Sequence, residues 1–429
     1  MSGATPREGV DLRRAGLGPT YRVQLHAGFG FADAAGIVPY LSRLGIATVY
    51  LSPIAEAVPG SAHGYDGVDP TRLRGELGGD GAFGVLVEAC GAHGLGICVD
   101  HVPNHLAAWA GGGWWRALLS EGPDSFMGEV FDVDWDAAVP FPAGTPGAPR
   151  RTVTLPLLDR PLDVALREGR VRLAVRGGDP VIALGEPGEA GVDLPVTGGA
   201  VRPGEDLADV LAHQHYQLVD WHDAAERNYR RFFDIDGLAG VRVEAAEVFD
   251  ATHALLFSLV ETGKLSAIRI DHVDGLREPA AYLRRLAART GLPIVVEKIL
   301  TGDEQLRPDW PVTGTTGYET IDDVGGVLVD PHGYDRLVAA GRAEGDDEVE
   351  PLTVRTRRLV ATTSFPGEVA RCAARLKVHA DALRELVVHL PRYRTYLDDT
   401  GGDAESEETA VWRRAASLAA AATALAGAG

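Results

Sequence analysis

The chain has 429 residues, a formal net charge of −20 and 45% hydrophobic residues, enough for one large core plus an inserted or appended domain. Its acidity argues against a nucleic-acid partner, which needs a basic face, and suits a neutral substrate such as a sugar. Cys90, Cys98 and Cys372 show no metal-ligand spacing and predict buried thiols in a reducing cytoplasm; neither an apolar leader nor a spanning stretch is expected, and the reading includes no metal and no cofactor.

Residues 1–20 read as a lead-in. A first strand is predicted at 21–25 and a helix at 31–45, with Asp33 near its start and Gly45 at its stop. A second strand follows at 46–51, a second helix at 82–95 ending on Gly94, and a third strand at 96–100. This rhythm is that of a parallel α/β protein. It breaks at 106–235, which reads as a large insertion after the third strand. A small antiparallel sheet is expected within 140–204, and a helical stretch at 206–235. The rhythm resumes with a helix at 245–262 and strands at 267–271 and 293–297. A sixth strand falls at either 315–318 or 324–329, and from 335 onward the pattern is helical. The domain reading is therefore 1–105 for the first part of a barrel, 106–235 for an inserted subdomain, 236–330 for the second part of the barrel and 331–429 for a helical segment.

Three short apolar runs end on carboxylates: Asp100, Asp271 and Glu297. The C-terminal end of a buried strand is where a (β/α)8 barrel keeps its chemistry. Arg269 lies two residues before Asp271, so both side chains face one side of the strand. A cation there is expected to lower the pKa of Asp271, as a nucleophile needs, and a second carboxyl at Glu297 to be pushed towards the protonated form that a general acid needs. After the third strand, Asp100-His101-Val102-Pro103-Asn104-His105 places polar groups at the barrel mouth, and His63-Gly64-Tyr65-Asp66 adds an aromatic ring suited to stacking on a sugar. An Arg–Asp ion pair that only closes a barrel, and a loop that only satisfies its own turn, are the plainer readings of the same residues.

The residues 100–105, Arg269-Ile270-Asp271 and Val295-Val296-Glu297 resemble three signatures of the α-amylase clan of glycoside hydrolases (glycoside hydrolase family 13) in order. More narrowly, the runs Asn228-Tyr229-Arg230-Arg231-Phe232-Phe233 and Gly314-Thr315-Thr316-Gly317-Tyr318 are similar to those of the maltooligosyltrehalose synthases. The likeness extends from about 18 to about 398. It implies a TIM-type barrel and an isomerase of trehalose biosynthesis, a (1→4)-α-D-glucan 1-α-D-glucosylmutase that turns the reducing-end α-1,4 bond of a maltooligosaccharide into an α,α-1,1 bond. It implies Asp271 as nucleophile and Glu297 as acid and base. His63, Tyr65, Asp100, Asn104, His105, Arg269, His272 and Lys298 would bind substrate. A maltooligosyltrehalose trehalohydrolase would be the functional partner. Trp114, Trp115, Trp135, Trp221, Tyr229, Phe232 and Phe233 would form either a pocket wall or, for most of them, the core of the insertion.

One departure matters. The family's third carboxylate falls in a His-Asp-Thr-Lys-Arg run at a seventh strand, and residues 1–429 contain no such run. The barrel is accordingly expected to be truncated, with strands seven and eight missing and activity weak or absent. An α-glucan hydrolase and a non-catalytic glucan-binding remnant are the rival expectations.

Overall fold

The computed structural model describes residues 12, 17–137, 151–186, 191–197, 201, 206–302, 304–342, 349–397 and 407–426. Most of the expected lead-in and part of the region expected to hold the antiparallel sheet lie outside these residues. The chain divides into two compact units, one of residues 1–221, 228–298 and 306–316, the other of residues 222–227, 299–305 and 317–429.

The first unit is organised by a six-stranded sheet. Its strands, in chain order and in spatial order, are β1 (Thr20–Val23), β2 (Thr48–Leu51), β3 (Gly96–His101), β4 (Ala267–Ile270), β5 (Ile294–Val296) and β6 (Gly314–Thr315). All neighbours run parallel. Parallel strands are covered on both faces, which is why β3 and β4 read as continuous apolar runs and are buried along nearly their whole length.

Helix α1 (Phe31–Arg43) starts where the Asp33 carboxylate accepts the Gly30 N–H at 2.9 Å. Helix α2 (Gly79–His93) stops at Gly94, which adopts φ +70°. The two helices meet through an edge-to-face contact of Phe31 and Phe83, ring centroids 5.2 Å apart. The single helix expected at 245–262 is two, α3 (Ala246–Thr252) and α4 (Ala254–Glu261). The Thr252 hydroxyl donates back to the Val248 carbonyl at 2.7 Å, and such back-bonding bends a helix. Helix α5 (Pro279–Thr290) opens on a proline and closes on Gly291.

The sixth strand lies at Gly314–Thr315, whereas 324–327 belongs to a helix, Tyr318–Val327, that begins after Gly317 at φ +89°. The antiparallel sheet appears as Val171–Arg176, Asp179–Leu184 and Val192–Pro195. The helical reading of 206–235 is corrected. That stretch holds one short α-helix, Leu207–Ala212, a strand, Tyr216–Asp220, a 3-10 helix, Trp221–Glu226, and part of a hairpin, Arg231–Phe232 with Ile235–Gly240. Tyr216–Asp220 alternates buried and half-buried residues, the period of a strand, and pairs in parallel with Val153–Leu158.

The second unit is helical, as expected from 335 onward. Its core joins Leu390, Val411 and Ala415, flanked by Leu386 and Trp412, and Arg358 grips the Glu385 carboxylate with two nitrogens at 2.7 and 2.8 Å. The helix Tyr318–Val327 buries no residue, and Val327 and Leu328 are each 84% exposed. Among the described residues no helix is long and apolar enough to cross a membrane.

Candidate active site

The site forms where β3, β4 and β5 end. Register places Arg269 of β4 beside Asp100 of β3, and strand alternation sends Asp271 to the same side two residues on. Backbone bonds lock the three ends together: the Asp271 N–H donates to the His101 carbonyl at 2.9 Å and the Glu297 N–H to the Ile270 carbonyl at 2.8 Å.

Arg269 is the hub. Its Nη1 donates to Asp100 Oδ1 and to Asp271 Oδ1, each at 2.6 Å, and its Nη2 lies 3.4 Å from Glu297 Oε2. Three carboxylates therefore share one buried guanidinium. Glu297 Oε2 also accepts the His272 N–H at 2.9 Å. That bond requires the backbone to turn sharply after Asp271, and His272 sits in the left-handed region at φ +43°.

The expected lowering of the Asp271 pKa is overturned. Burial pushes it up to about 7; Arg269 pulls the other way, and the charges of Asp100 and Glu297 add to the upward push. The cation is visible in the sequence, but desolvation dominates for a carboxylate this deep. Burial also raises the pKa of Asp100, against the pull of Arg269 and the hydroxyls of Tyr65 and Tyr50. Arg269 itself stays charged. Burial works against its charge, but Asp100 foremost, then Tyr50, Asp271 and Glu297, outweigh it.

Around this centre the predicted residues fall into three groups. Tyr65 donates its hydroxyl to Asp100 Oδ2 at 2.6 Å, joined there by Tyr50 at 3.0 Å. Asn104 and His105 are buried at the mouth; Asn104 Nδ2 approaches His105 Nδ1 at 3.3 Å, and His105 Nε2 meets the Tyr65 carbonyl at 3.1 Å. His63 is exposed, stacks on Tyr65 with centroids 6.0 Å apart, and accepts the Tyr65 N–H at Nδ1. Lys298 is turned to a different task, a buried ion pair of 3.1 Å with Asp274 that ties β5 to the turn after Asp271.

The aromatics of residues 106–235 divide. Trp115 is core, edge-on to Phe131 and Tyr229 at 5.0 and 5.1 Å. Phe232 and Phe233 reach the mouth instead, where each ring lies 5.0 Å from His272. Phe233 is half exposed, with its backbone at φ +49°.

Two participants escaped the sequence reading. Tyr50 was hidden in an apolar strand, its only signal being a hydroxyl within a buried run. Arg230 stood in the run quoted for its likeness and received no task there, yet it donates to Asn104 Oδ1 at 2.7 Å. Among the described residues no group of His, Cys, Asp and Glu is arranged to hold a metal ion.

A model of the α-amylase catalytic domain matches residues 27–117. A putative maltooligosyl trehalose synthase of Mycobacterium tuberculosis is 38% identical over 395 residues, which are 87% of this chain and 48% of that protein. The structure of maltooligosyltrehalose synthase from Arthrobacter ramosus superposes with a TM-score of 0.81 at 37% identity, over 94% of this chain and 50% of that one. Over the half of their length that it spans, the chain is similar to the maltooligosyltrehalose synthases. A Sulfolobus tokodaii hypothetical maltooligosyl trehalose synthase superposes with a TM-score of 0.80 at 29% identity, over 94% and 51% of the two chains. This chain spans about half the length of the synthases it matches. Within that half lie all the residues of the carboxylate cluster described above.

Proposed function

We propose that this chain carries the acid pair of an intramolecular transglucosylation on α-1,4-glucans, as in the synthases it resembles. The observation that carries the reading is the shared guanidinium: Arg269 touches both Asp271 and Glu297. Two carboxyls held to one guanidinium fit the separation of about 5 Å used by retaining enzymes.

Asp271 attacks the anomeric carbon of the penultimate sugar while Glu297 gives its proton to the departing O4, leaving a glucosyl ester and a free glucose. The glucose turns over and its anomeric hydroxyl attacks the anomeric carbon of the ester, displacing the Asp271 carboxylate. Glu297 takes back the proton, and the α,α-1,1 bond forms with no water consumed. Water must stay out for that reversal to win, and Phe232 and Phe233 supply apolar surface beside His272, next to the nucleophile. Asp100 and Arg269 hold the nucleophile, while Tyr65, His63, Asn104, His105 and His272 line the approach of the sugar. Lys298 braces the turn.

On this reading the six parallel strands belong to an eight-stranded barrel, with 106–235 inserted after the third strand. The product passes to a trehalohydrolase in the cytoplasm. The clan's third carboxylate is not among residues 1–429, so turnover by this chain by itself is expected to be slow.

Maltopentaose and the purified chain provide the test. The expected product is non-reducing, formed slowly, and absent with Asp271→Asn. A net gain of reducing ends would favour glucan hydrolysis instead. Failure to bind maltopentaose, together with no product of either kind, would sink the carbohydrate assignment.

A further inference from the structure

Arg74 is fully buried, yet a single nitrogen of its guanidinium carries its hydrogen bonds: Nη2 donates to the Ser61 carbonyl at 2.8 Å and to the Glu76 carboxylate. Among the described residues Nε and Nη1 have no acceptor. A buried donor without an acceptor destabilises a fold, and a hydrophobic side chain of similar volume in place of a buried ion often does not. Core stability therefore gives no reason for an arginine here. The reason lies in what the engaged nitrogen holds.

Ser61 belongs to the loop 58–66, which joins the antiparallel strands Ala55–Ala57 and Gly67–Leu73 and carries His63 and Tyr65. The neck of the loop is closed by the Val58 N–H on the Asp66 carbonyl at 3.1 Å, and its first turn by the Ser61 N–H on the Val58 carbonyl at 3.0 Å. That turn is gripped from outside by two charges. The Glu76 carboxylate accepts the Gly60 N–H with its two oxygens at 2.9 and 3.2 Å, while Arg74 takes the carbonyl of the next residue, Ser61. The bond from Arg74, then the one from Gly60, holds the Glu76 carboxyl below its ordinary pKa, so the grip stays charged. Arg74 is itself fixed by backbone: its N–H donates to the Ile54 carbonyl at 2.9 Å, and its carbonyl accepts from Leu77 and Gly79 at 3.2 and 3.3 Å.

A short path leads from this turn to the site. Ser61 Oγ accepts the Gly64 N–H at 3.0 Å and donates to the Asp66 carboxylate. Gly64 runs so close to the end of β2 that a Cβ there would stand 2.9 Å from the Pro53 carbonyl oxygen. The next residue, Tyr65, gives its hydroxyl to Asp100 at 2.6 Å. A bond of that length tolerates little movement, and a loop displaced by about 1 Å would carry the phenol out of range.

We propose that Arg74, paired with Glu76, is a positioning residue: it clamps the Gly60–Ser61 turn so that Tyr65 meets Asp100 at hydrogen-bonding distance. That Tyr65 so placed faces a sugar rests on the function proposed above; the clamp does not.

Hydrogen exchange over residues 58–66 is followed by mass spectrometry on the whole chain without sugar, in the wild type, Arg74→Met, Arg74→Lys and Glu76→Ala. R74M should exchange there about 10-fold faster or more, as a locally opened loop does, and E76A should do likewise. The melting temperature of R74M should stay within about 3 °C of the wild type. R74K should exchange like the wild type, because one ammonium nitrogen can serve both acceptors that Nη2 serves. In a calorimetric titration with maltopentaose, R74M should bind several-fold more weakly than the wild type and R74K equally well. R74M combined with Tyr65→Phe should bind no more weakly than Y65F, since the clamp acts through Tyr65. The proposal is overturned if R74M exchanges like the wild type, if R74K is as loose as R74M, or if R74M weakens binding further in the Y65F background. Should R74M fail to fold, E76A decides: faster exchange over 58–66 supports the clamp and wild-type exchange overturns it. A wild-type chain that binds no maltopentaose would sink the sugar reading, and the exchange rates would still decide the clamp.

Discussion

Tyr65 delivers its hydroxyl to Asp100 Oδ2 from a loop 35 residues away, at 2.6 Å, although the Asp100 side chain has no exposed surface. The loop after β2 is thus fastened to the deepest carboxylate of the site. Burial pushes the Tyr65 pKa upward, with the negative charge of Asp100 second, so the ring stays a phenol and remains a donor. Hydrogen bonds to a charged group contribute about 1.5–3 kcal/mol. Tyr65→Phe should therefore lower the free energy of unfolding by about 1.5–3 kcal/mol in a urea titration. Tyr50 remains as a second donor at 3.0 Å, so Tyr50→Phe combined with Tyr65→Phe should cost more than the sum of the two single changes.

Asp271 links pH to both stability and chemistry, with opposite signs. Its pKa stands at about 7 in the folded chain against 3.8 ordinarily. Between those values the folded state keeps a proton that the unfolded state gives up, so stability falls as pH rises through this window. The melting temperature of Asp271→Asn minus that of the wild type should be more positive at pH 8 than at pH 5. Any glucosyl transfer needs the ionised carboxylate, so kcat/KM should rise with pH on a limb centred near 7. A flat profile from pH 5 to pH 8 in both measurements would contradict the assignment.

His101 and His105 set the acid limit. Burial pushes His101 down to about 4, and His105 down to about 3 with further lowering from the charges of His272 and Arg230. Both are neutral when folded, whereas the unfolded chain takes up protons below about 6.5. Stability is therefore expected to be lost as pH falls from about 6.5 towards these lower values. His101 packs its ring on His253 with centroids 4.3 Å apart, so His101→Phe keeps a ring there and removes one titration. That variant should lose less of its melting temperature between pH 7 and pH 5 than the wild type does.

Glu297 accepts the His272 amide and sits beside Arg269; in the proposed reaction it is the proton carrier. Glu297→Gln keeps the acceptor oxygen and removes the proton donor. It should reduce product formation by about 10²–10⁴-fold while leaving maltopentaose affinity within a few fold. Equal loss of affinity and rate would assign Glu297 to binding instead.

Phe233 holds a conformation at φ +49° that costs a side chain about 1–2 kcal/mol, and it spends that strain on a contact with His272. Phe233→Gly should relieve the strain and remove the apolar cover. The expected outcome is an unchanged or higher melting temperature with a larger share of reducing product. An unchanged product ratio would show that the ring takes no part in excluding water.

Much of the scaffold was legible because its strands are apolar without a break: β3 and β4 stand out, and their ends name Asp100 and Asp271 without any fold in hand. Arg269 followed from the two-residue period alone. What stayed hidden depended on partners distant in sequence. Tyr216–Asp220 reads as helix in sequence because its mate, Val153–Leu158, lies more than fifty residues earlier, and local pattern says little about parallel pairing. The Asp271 pKa was misjudged for a related reason. The neighbouring cation is visible in the sequence, whereas the depth of burial is a property of the whole sheet. Arg230 was read as one letter of a familiar run, because the four oxygens it gathers come from residues 104, 132 and 241.

Gly240 and Gly275 carry no side chain and so make no contact that a mutational survey of functional groups would target. Their importance lies in the atoms they do not have. In a library of random single changes, these two positions should tolerate substitution less well than glycines with open space around them, and for a steric reason: the smallest possible addition, one methyl, already overlaps Arg230 or Asn104. Over evolutionary time the mouth is then free to exchange its rings and amides by compensation, while the two empty spaces behind them are the part least open to revision.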